Sequence, residues 1–500
     1  MRGRVRSQAT RQVKRLACLL LFAWAAAAQM RVMALPTNSP LVAFRIVFTA
    51  GSAADPPTKP GLAYLTAKML SGGSTRTQTY RQIEDALFPM AAGFSAQVDK
   101  EMSTFIGETH VDNLEAYYKL VRGMLLEPGW REEDFKRIKD DAINGIKSGL
   151  RDSDEELGKE VLYSEIYQGM SYSHYSMGTV TSLEAIALDD VKHFYASHYA
   201  QAKLILGISG GYKPVFLERM KKDFRQLPAA AGFQPRRKEP GTIEATRAVI
   251  VDKDTRSVAI SLGFPISCTR QNPDYAALLV ASSYLGQHRM SGGVLYDEMR
   301  EKRGLNYGDY SYIEYFPRGM YQMEPSPNLG RRYQIFQIWI RPVQPSTAKF
   351  ALRLALYELD KFIKDGVSDD AFEMTRDFVT KYANVLMRTQ SAQLGFSIDG
   401  LYYDKPDFAA TLKQNLAKLT RADVNRAIRR YLRVDQLVIV AVSKNGEELK
   451  QQLASDDPSP MTYNSPKPAS LTDIDKIVEK WPLHLKADAI KVVPVDGVFQ

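Results

Sequence analysis

Apolar and polar positions fall into two arrangements along this chain, and the chain runs through both twice. Asp190-Val191-Lys192-His193-Phe194-Tyr195 spaces its apolar side chains as a helix does. It then passes through His198-Tyr199 into the apolar run Leu204-Ile205-Leu206-Gly207-Ile208. Asp423-Val424-Asn425-Arg426-Ala427-Ile428 repeats this 233 positions later and leads through Tyr431-Leu432 to Leu437-Val438-Ile439-Val440-Ala441. Each copy predicts a capped amphipathic helix, a short loop and a buried strand. Upstream, Glu132-Glu133-Asp134-Phe135 and Asp369-Asp370-Ala371-Phe372 each open a long polar helix, at the similar offset of 237. Two segments sharing nearly one offset predict a duplication. The alternation of strands with helical pairs predicts an α+β fold, with helices packed on one face of a sheet in each half.

Punctuation between these segments sets the boundaries. The first half is expected over 36–228 and the second over 248–454, where strand character resumes at Ala248-Val249-Ile250-Val251. Between them, 229–247 includes Gln234-Pro235-Arg236-Arg237-Lys238-Glu239-Pro240-Gly241, aperiodic and basic, which reads as a linker. Residues 455–500 read as a C-terminal extension. It has an irregular zone with Pro458, Pro460, Pro466 and Pro468, a helix over Thr472–Lys480, and a strand from Ile490 to Val495.

Charge alters this picture only at the N-terminus. The formal net charge is +9, but Arg2, Arg4, Arg6, Arg11, Lys14 and Arg15 supply six of those charges within residues 1–28, where no acid stands. The remainder is spread thinly, which argues against a nucleic-acid partner. The basic stretch precedes the apolar run Leu16–Ala28, followed by small residues. This predicts a secretory signal over 1–28, cleaved near Ala26–Ala28 or Ala34. The run is short of the roughly 20 residues that span a bilayer, so no stable membrane insertion is expected once the signal is removed. An uncleaved anchor is the lesser reading. Cys18 lies within the signal, leaving Cys268 as the one cysteine of the mature chain. No internal disulfide can form, and a small buried hydrophobe is the expected role of Cys268.

Ala50-Gly51-Ser52-Ala53-Ala54-Asp55, Gly61-Leu62-Ala63-Tyr64-Leu65-Thr66-Ala67-Lys68-Met69-Leu70 and Gly72-Gly73-Ser74 resemble the opening of the insulinase-like (pitrilysin-type) zinc metallopeptidases. In that family a helix carries H-x-x-E-H: two His on one face bind zinc, and the Glu is the general base. The resemblance sets Tyr64 at the first His, Ala67 at the Glu and Lys68 at the second His. The third ligand, a Glu of a later helix, falls at Asn144 or Gly145. Asp140 and Asp141 stand one turn earlier, and a solvated helix face explains them more simply than an off-register acid pair. None of the six His (His110, His174, His193, His198, His288, His484) stands four before another. No metal is therefore expected on this chain.

Leu295-Tyr296-Asp297-Glu298-Met299-Arg300-Glu301-Lys302-Arg303-Gly304-Leu305-Asn306-Tyr307 resembles the family's L-R-E-x-x-G-L-x-Y stretch. There the Arg and Tyr reach across the chamber to the substrate backbone and the developing oxyanion; carried over, these are Arg300 and Tyr307. The resemblance covers roughly 36–450 and implies two halves forming a clam-like chamber. It further implies a catalytically incomplete subunit, inactive alone, that lends Arg300 and Tyr307 in trans to a zinc-bearing partner subunit. The substrate is expected to be a peptide, and the location a bacterial periplasm. Val98–Ile106, with Phe94–Gln97 before it, is placed at the family's substrate-pairing edge strand. A non-enzymatic structural or peptide-binding homologue is the alternative, and a self-sufficient peptidase with a non-standard metal site is a weaker one.

Overall fold

The computed structural model describes residues 30–230, 239–317, 323–405 and 407–500. The expected signal and most of the basic linker stretch lie outside them. The first sheet comprises β1 (Arg31–Pro36), β2 (Leu41–Phe48), β3 (Gly93–Val98), β4 (Ser103–His110) and β5 (Leu204–Gly210), in the order β1-β5-β2-β4-β3. The second comprises β6 (Arg247–Asp252), β7 (Val258–Ile266), β8 (Asp309–Tyr312), β9 (Gln334–Val343), β10 (Val438–Ser443) and β11 (Ile490–Pro494). Its order is β11-β6-β10-β7-β9-β8. Apart from β11, the two orders coincide strand for strand. The senses coincide too: β1 with β5 and β6 with β10 are parallel, and the other equivalent pairs are antiparallel. The chain therefore consists of two homologous α+β halves. Central strands such as β5 and β10 are buried along their whole length, as strands covered on both faces must be.

The helices that matter below are α1 (Leu62–Gly72), α2 (Glu132–Asn144), α3 (Asp154–Ile166), α4 (Leu188–His198), α5 (Tyr275–Gly286), α6 (Asp369–Leu386), α7 (Gln390–Tyr402), α8 (Arg421–Tyr431) and α9 (Ala469–Val478). Asp190 and Asp423 occupy the third position of α4 and α8. Each accepts from the backbone N–H just before its helix, that of Ala187 and of Thr420. The duplicated aspartates thus do the same capping work. Helix α9 begins three residues earlier than the sequence suggests. Pro468, preset near φ −57°, precedes its first turn, and the Thr472 hydroxyl donates back to the Ala469 carbonyl instead of capping.

Two helices are exchanged between the halves. Helix α3, from the first, packs on β7, β10 and β9, while α7, from the second, packs on β5, β2 and β1. Gly158 brings α3 close enough to the second sheet that a Cβ would meet Ser261 and Val442 at 3.5 Å. A layer of buried charge completes the junction. Arg331 donates to both Asp99 oxygens at 2.7 and 2.6 Å and lies 3.4 Å from the Tyr315 ring centre. Arg45 donates to Asn328 at 2.8 Å, and Glu101 accepts from Tyr172 and Tyr402. The exchanged helices and this charge layer interlock the two halves. Cys268 is buried and free, and no helix among the described residues is long and apolar enough to cross a membrane.

Candidate functional site

Helix α1 starts where Gly61 adopts φ +94°, with a hypothetical Cβ only 2.4 Å from the Met177 carbonyl. Only glycine fits there. The first amide protons of a helix lack partners, and here Asp55 supplies them: its carboxylate accepts from the N–H of Gly61 and of Ala63 at 2.7 Å each. His174 Nε2 lies 3.2 Å from the same carboxylate. The sequence reading missed both residues. The signal was available in Asp55, an acid shortly before a helix start. At the other end Gly73 closes α1. The Ser74 N–H then donates to Asp134 of α2 at 2.8 Å, and Arg137 donates to the Gly72 carbonyl at 2.5 Å.

Along α1, Ala67 is fully buried, Tyr64 and Lys68 are half-buried, and the Lys68 ammonium sits 5.5 Å from the Tyr64 ring centre. Lys68 Nζ donates to the Ala96 carbonyl of β3 at 3.2 Å, and burial holds its pKa below the usual lysine range. Asn144 ends α2 exposed, and Gly145 begins a π-helical turn running to Leu150. Asp140 and Asp141 are exposed and face Lys136 and Arg137 at 3.8 and 4.0 Å. Zinc does not fit this donor set: a phenol, a methyl, an ammonium and an exposed amide supply no cluster of metal-binding atoms. Among the described residues no group of three or more His, Cys, Asp or Glu is placed to hold a metal ion. The histidines are dispersed, with His198 stacked on Phe194 and His288 among Tyr310, Tyr312, Phe316 and Trp339.

Arg300 lies in a π-helical turn, Tyr296–Glu301, and its guanidinium is 4.8 Å from the Tyr296 ring centre. Its nearest carboxylate, Glu301, is 3.9 Å away, and 38% of the side chain is exposed. Tyr307 is 79% exposed, on a turn between Gly304 at φ +66° and Gly308 at φ +146°. Asn306 fixes that turn, donating to Asp309 at 2.8 Å and to the Arg341 carbonyl at 2.9 Å while accepting from the Gly308 N–H. Burial pushes the Asp309 carboxyl up to about 8, against the bond from Asn306 that opposes the shift. Below the motif, buried Arg303 donates to Glu298 and, through Nε, to Asp475 of α9 at 2.8 Å. The C-terminal extension therefore props the Arg300–Tyr307 segment, a role its composition did not announce. Nothing among the described residues bonds Lys68 to Arg300 or Tyr307.

The edge strand needs a correction. Among the described residues the edge strands of the first sheet are β1 and β3, Gly93–Val98; residues 98–106 cross the Asp99–Met102 turn and enter β4, which is paired on both sides. A run of apolar and polar residues that continues across a tight turn carries no mark of which arm lies outside.

Two family models match the chain: "Insulinase (Peptidase family M16)" over residues 31–180 and "Peptidase M16 inactive domain" over 185–378. The chain belongs to the insulinase, or M16, family. A curated relative from Helicobacter pylori, described as a non-peptidase homolog, YmxG, is 20% identical over 429 residues, which is 82% of this chain and 90% of that one. Among solved structures, the M16 inactive domain from Pseudomonas fluorescens has a TM-score of 0.72 at 23% identity, covering 84% of this chain and 96% of that one. A chain of Complex III2 from Candida albicans gives 0.66 at 16%, covering 82% and 93%. The M16 fold is thus shared, and helix α1, where the resemblance sets the H-x-x-E-H motif, carries Tyr64, Ala67 and Lys68.

Proposed function

We propose that this chain is the catalytically incomplete subunit of an exported, heteromeric M16 metalloendopeptidase. It would lend Arg300 and Tyr307 to the zinc site of a partner subunit during peptide degradation. The observation that carries this reading is the contrast between the two halves. Lys68 fills the metal helix of one, while the other holds Tyr307 outward and leaves Arg300 partly exposed, its contacts among the described residues being the Tyr296 ring and a distant Glu301. A solvent-exposed tyrosine on a turn secured by Asn306, Gly308 and Asp309 suits a group presented to something outside the chain. The export part rests on the pattern of residues 1–28 and predicts delivery to a periplasm. The free edge of β3 would take an extended peptide by strand addition.

The test is reconstitution. The purified chain alone should be inert toward peptides and should form an active mixture with a zinc-bearing M16 member from the same organism. Absence of any gain on mixing would overturn the proposal. A non-enzymatic structural or peptide-binding role is the second reading, favoured by the description of the Helicobacter pylori relative as a non-peptidase homolog. It predicts no gain on mixing. A self-sufficient peptidase with a non-standard metal site is checked by metal analysis. The purified chain should carry less than about a tenth of an equivalent of zinc, whereas a genuine site would be close to filled.

A further inference from the structure

The free edge of β3 has a defined hydrogen-bonding phase. The Asp99 N–H donates to the Met102 carbonyl at 3.0 Å, which makes Asp99 and Met102 a bonded pair at the hairpin turn. Opposed residues of antiparallel strands alternate between bonded and non-bonded pairs. With Gln97 opposite Thr104 and Ala96 opposite Phe105, Ala96 falls in a non-bonded pair. Its N–H and C=O, like those of Phe94 and Val98, point away from β4 toward the open edge.

Lys68 meets the edge at this residue. Its ammonium donates one of its three protons to the Ala96 carbonyl at 3.2 Å, and no other acceptor engages it among the described residues. Among the described residues no carboxylate lies within 4.0 Å of it, although the side chain is half-buried. A partly desolvated cation with spare donors and no counter-charge is a site for an anion. It stands where the backbone of an added strand would run.

We propose that Lys68 turns the lost metal site into a carboxylate-binding site. An extended peptide pairing with β3 would be anchored there by a carboxylate, either its C-terminal group or an acidic side chain. This rests on the reading of β3 as a peptide-binding edge and is independent of any zinc-bearing partner. The ammonium draws the carboxylate through a charge-assisted bond, and Ala96, its C=O already accepting from Lys68, offers its outward N–H to the peptide backbone. A peptide held in this way is bound without being cut.

The experiment uses the full chain alone with three fluorescein-labelled ten-residue peptides of one apolar sequence. The first has a free C-terminus, the second a C-terminal amide, and the third an amide with one internal Asp; anisotropy gives the Kd. The free-carboxylate peptide should bind at least about tenfold more tightly than the plain amide. K68M should abolish that difference, and K68R should restore most of it. Tight binding of the Asp-bearing amide would assign the site to acidic side chains, and weak binding to the C-terminus. Equal Kd values for the first two peptides on the wild-type chain, or an undiminished difference in K68M, would overturn the proposal. The A96P variant separates the two readings, because it removes only the outward N–H of an edge strand. Binding that A96P weakens but K68M leaves alone would keep the edge and discard the Lys68 site. Thermal unfolding of each variant confirms that it is folded.

Discussion

Replacing Arg300 by alanine should cut the peptide turnover of the reconstituted mixture about a hundredfold, the scale of losing one preorganised oxyanion donor. The loss should appear in kcat rather than KM, because a group that meets charge only as it develops contributes little to ground-state binding. R300K should recover little, since a point ammonium does not reproduce the planar fork of the guanidinium. Zinc content of the partner and the stability of this chain should be unchanged, as Arg300 is partly exposed and its one carboxylate neighbour is 3.9 Å away. Tyr307→Phe removes only a hydroxyl that bonds to nothing among the described residues, so a drop in its kcat would likewise report a contact made in trans. Undiminished turnover in the Arg300→Ala mixture would remove the proposed role.

Much of this architecture was legible before any coordinates. The repeated Asp-apolar pattern at 190 and 423 marked a duplication, and the matching strand orders follow from it. That Tyr64, Ala67 and Lys68 share one helix was legible because spacing on a helix is a local property. What the sequence hid depends on contacts between distant residues. Arg303 pairs with Asp475 across 172 positions, and Arg331 with Asp99 across 232. The same limit hid the bond from Lys68 to Ala96, since a lysine on a helix gives no sign of which carbonyl lies above it. The exchange of α3 and α7 was equally invisible: an amphipathic helix announces that it covers a sheet, without saying which one.

That exchange makes a stability prediction of the buried charge layer. Asp99 and Arg331 are 1% exposed, come from opposite halves and pair through two bonds. Removing one partner of such a pair leaves the other charged and buried, at a typical cost of about 3–5 kcal/mol. Asp99→Ala should fall at the upper end, because the carboxylate serves two cations. Lys100 is buried beside it, its pKa held down to about 8 by burial and by Arg331, with Asp99 among the groups that pull it back up. Urea unfolding followed by circular dichroism and tryptophan fluorescence should show that loss in a single shared transition, since each half is covered by a helix of the other. Replacing both partners, as Asp99→Leu with Arg331→Met, should recover much of it, because no unpaired charge then remains inside. A cost below about 1 kcal/mol would mean that water reaches the freed guanidinium. Two separate transitions would mean that the exchanged helices do not couple the halves.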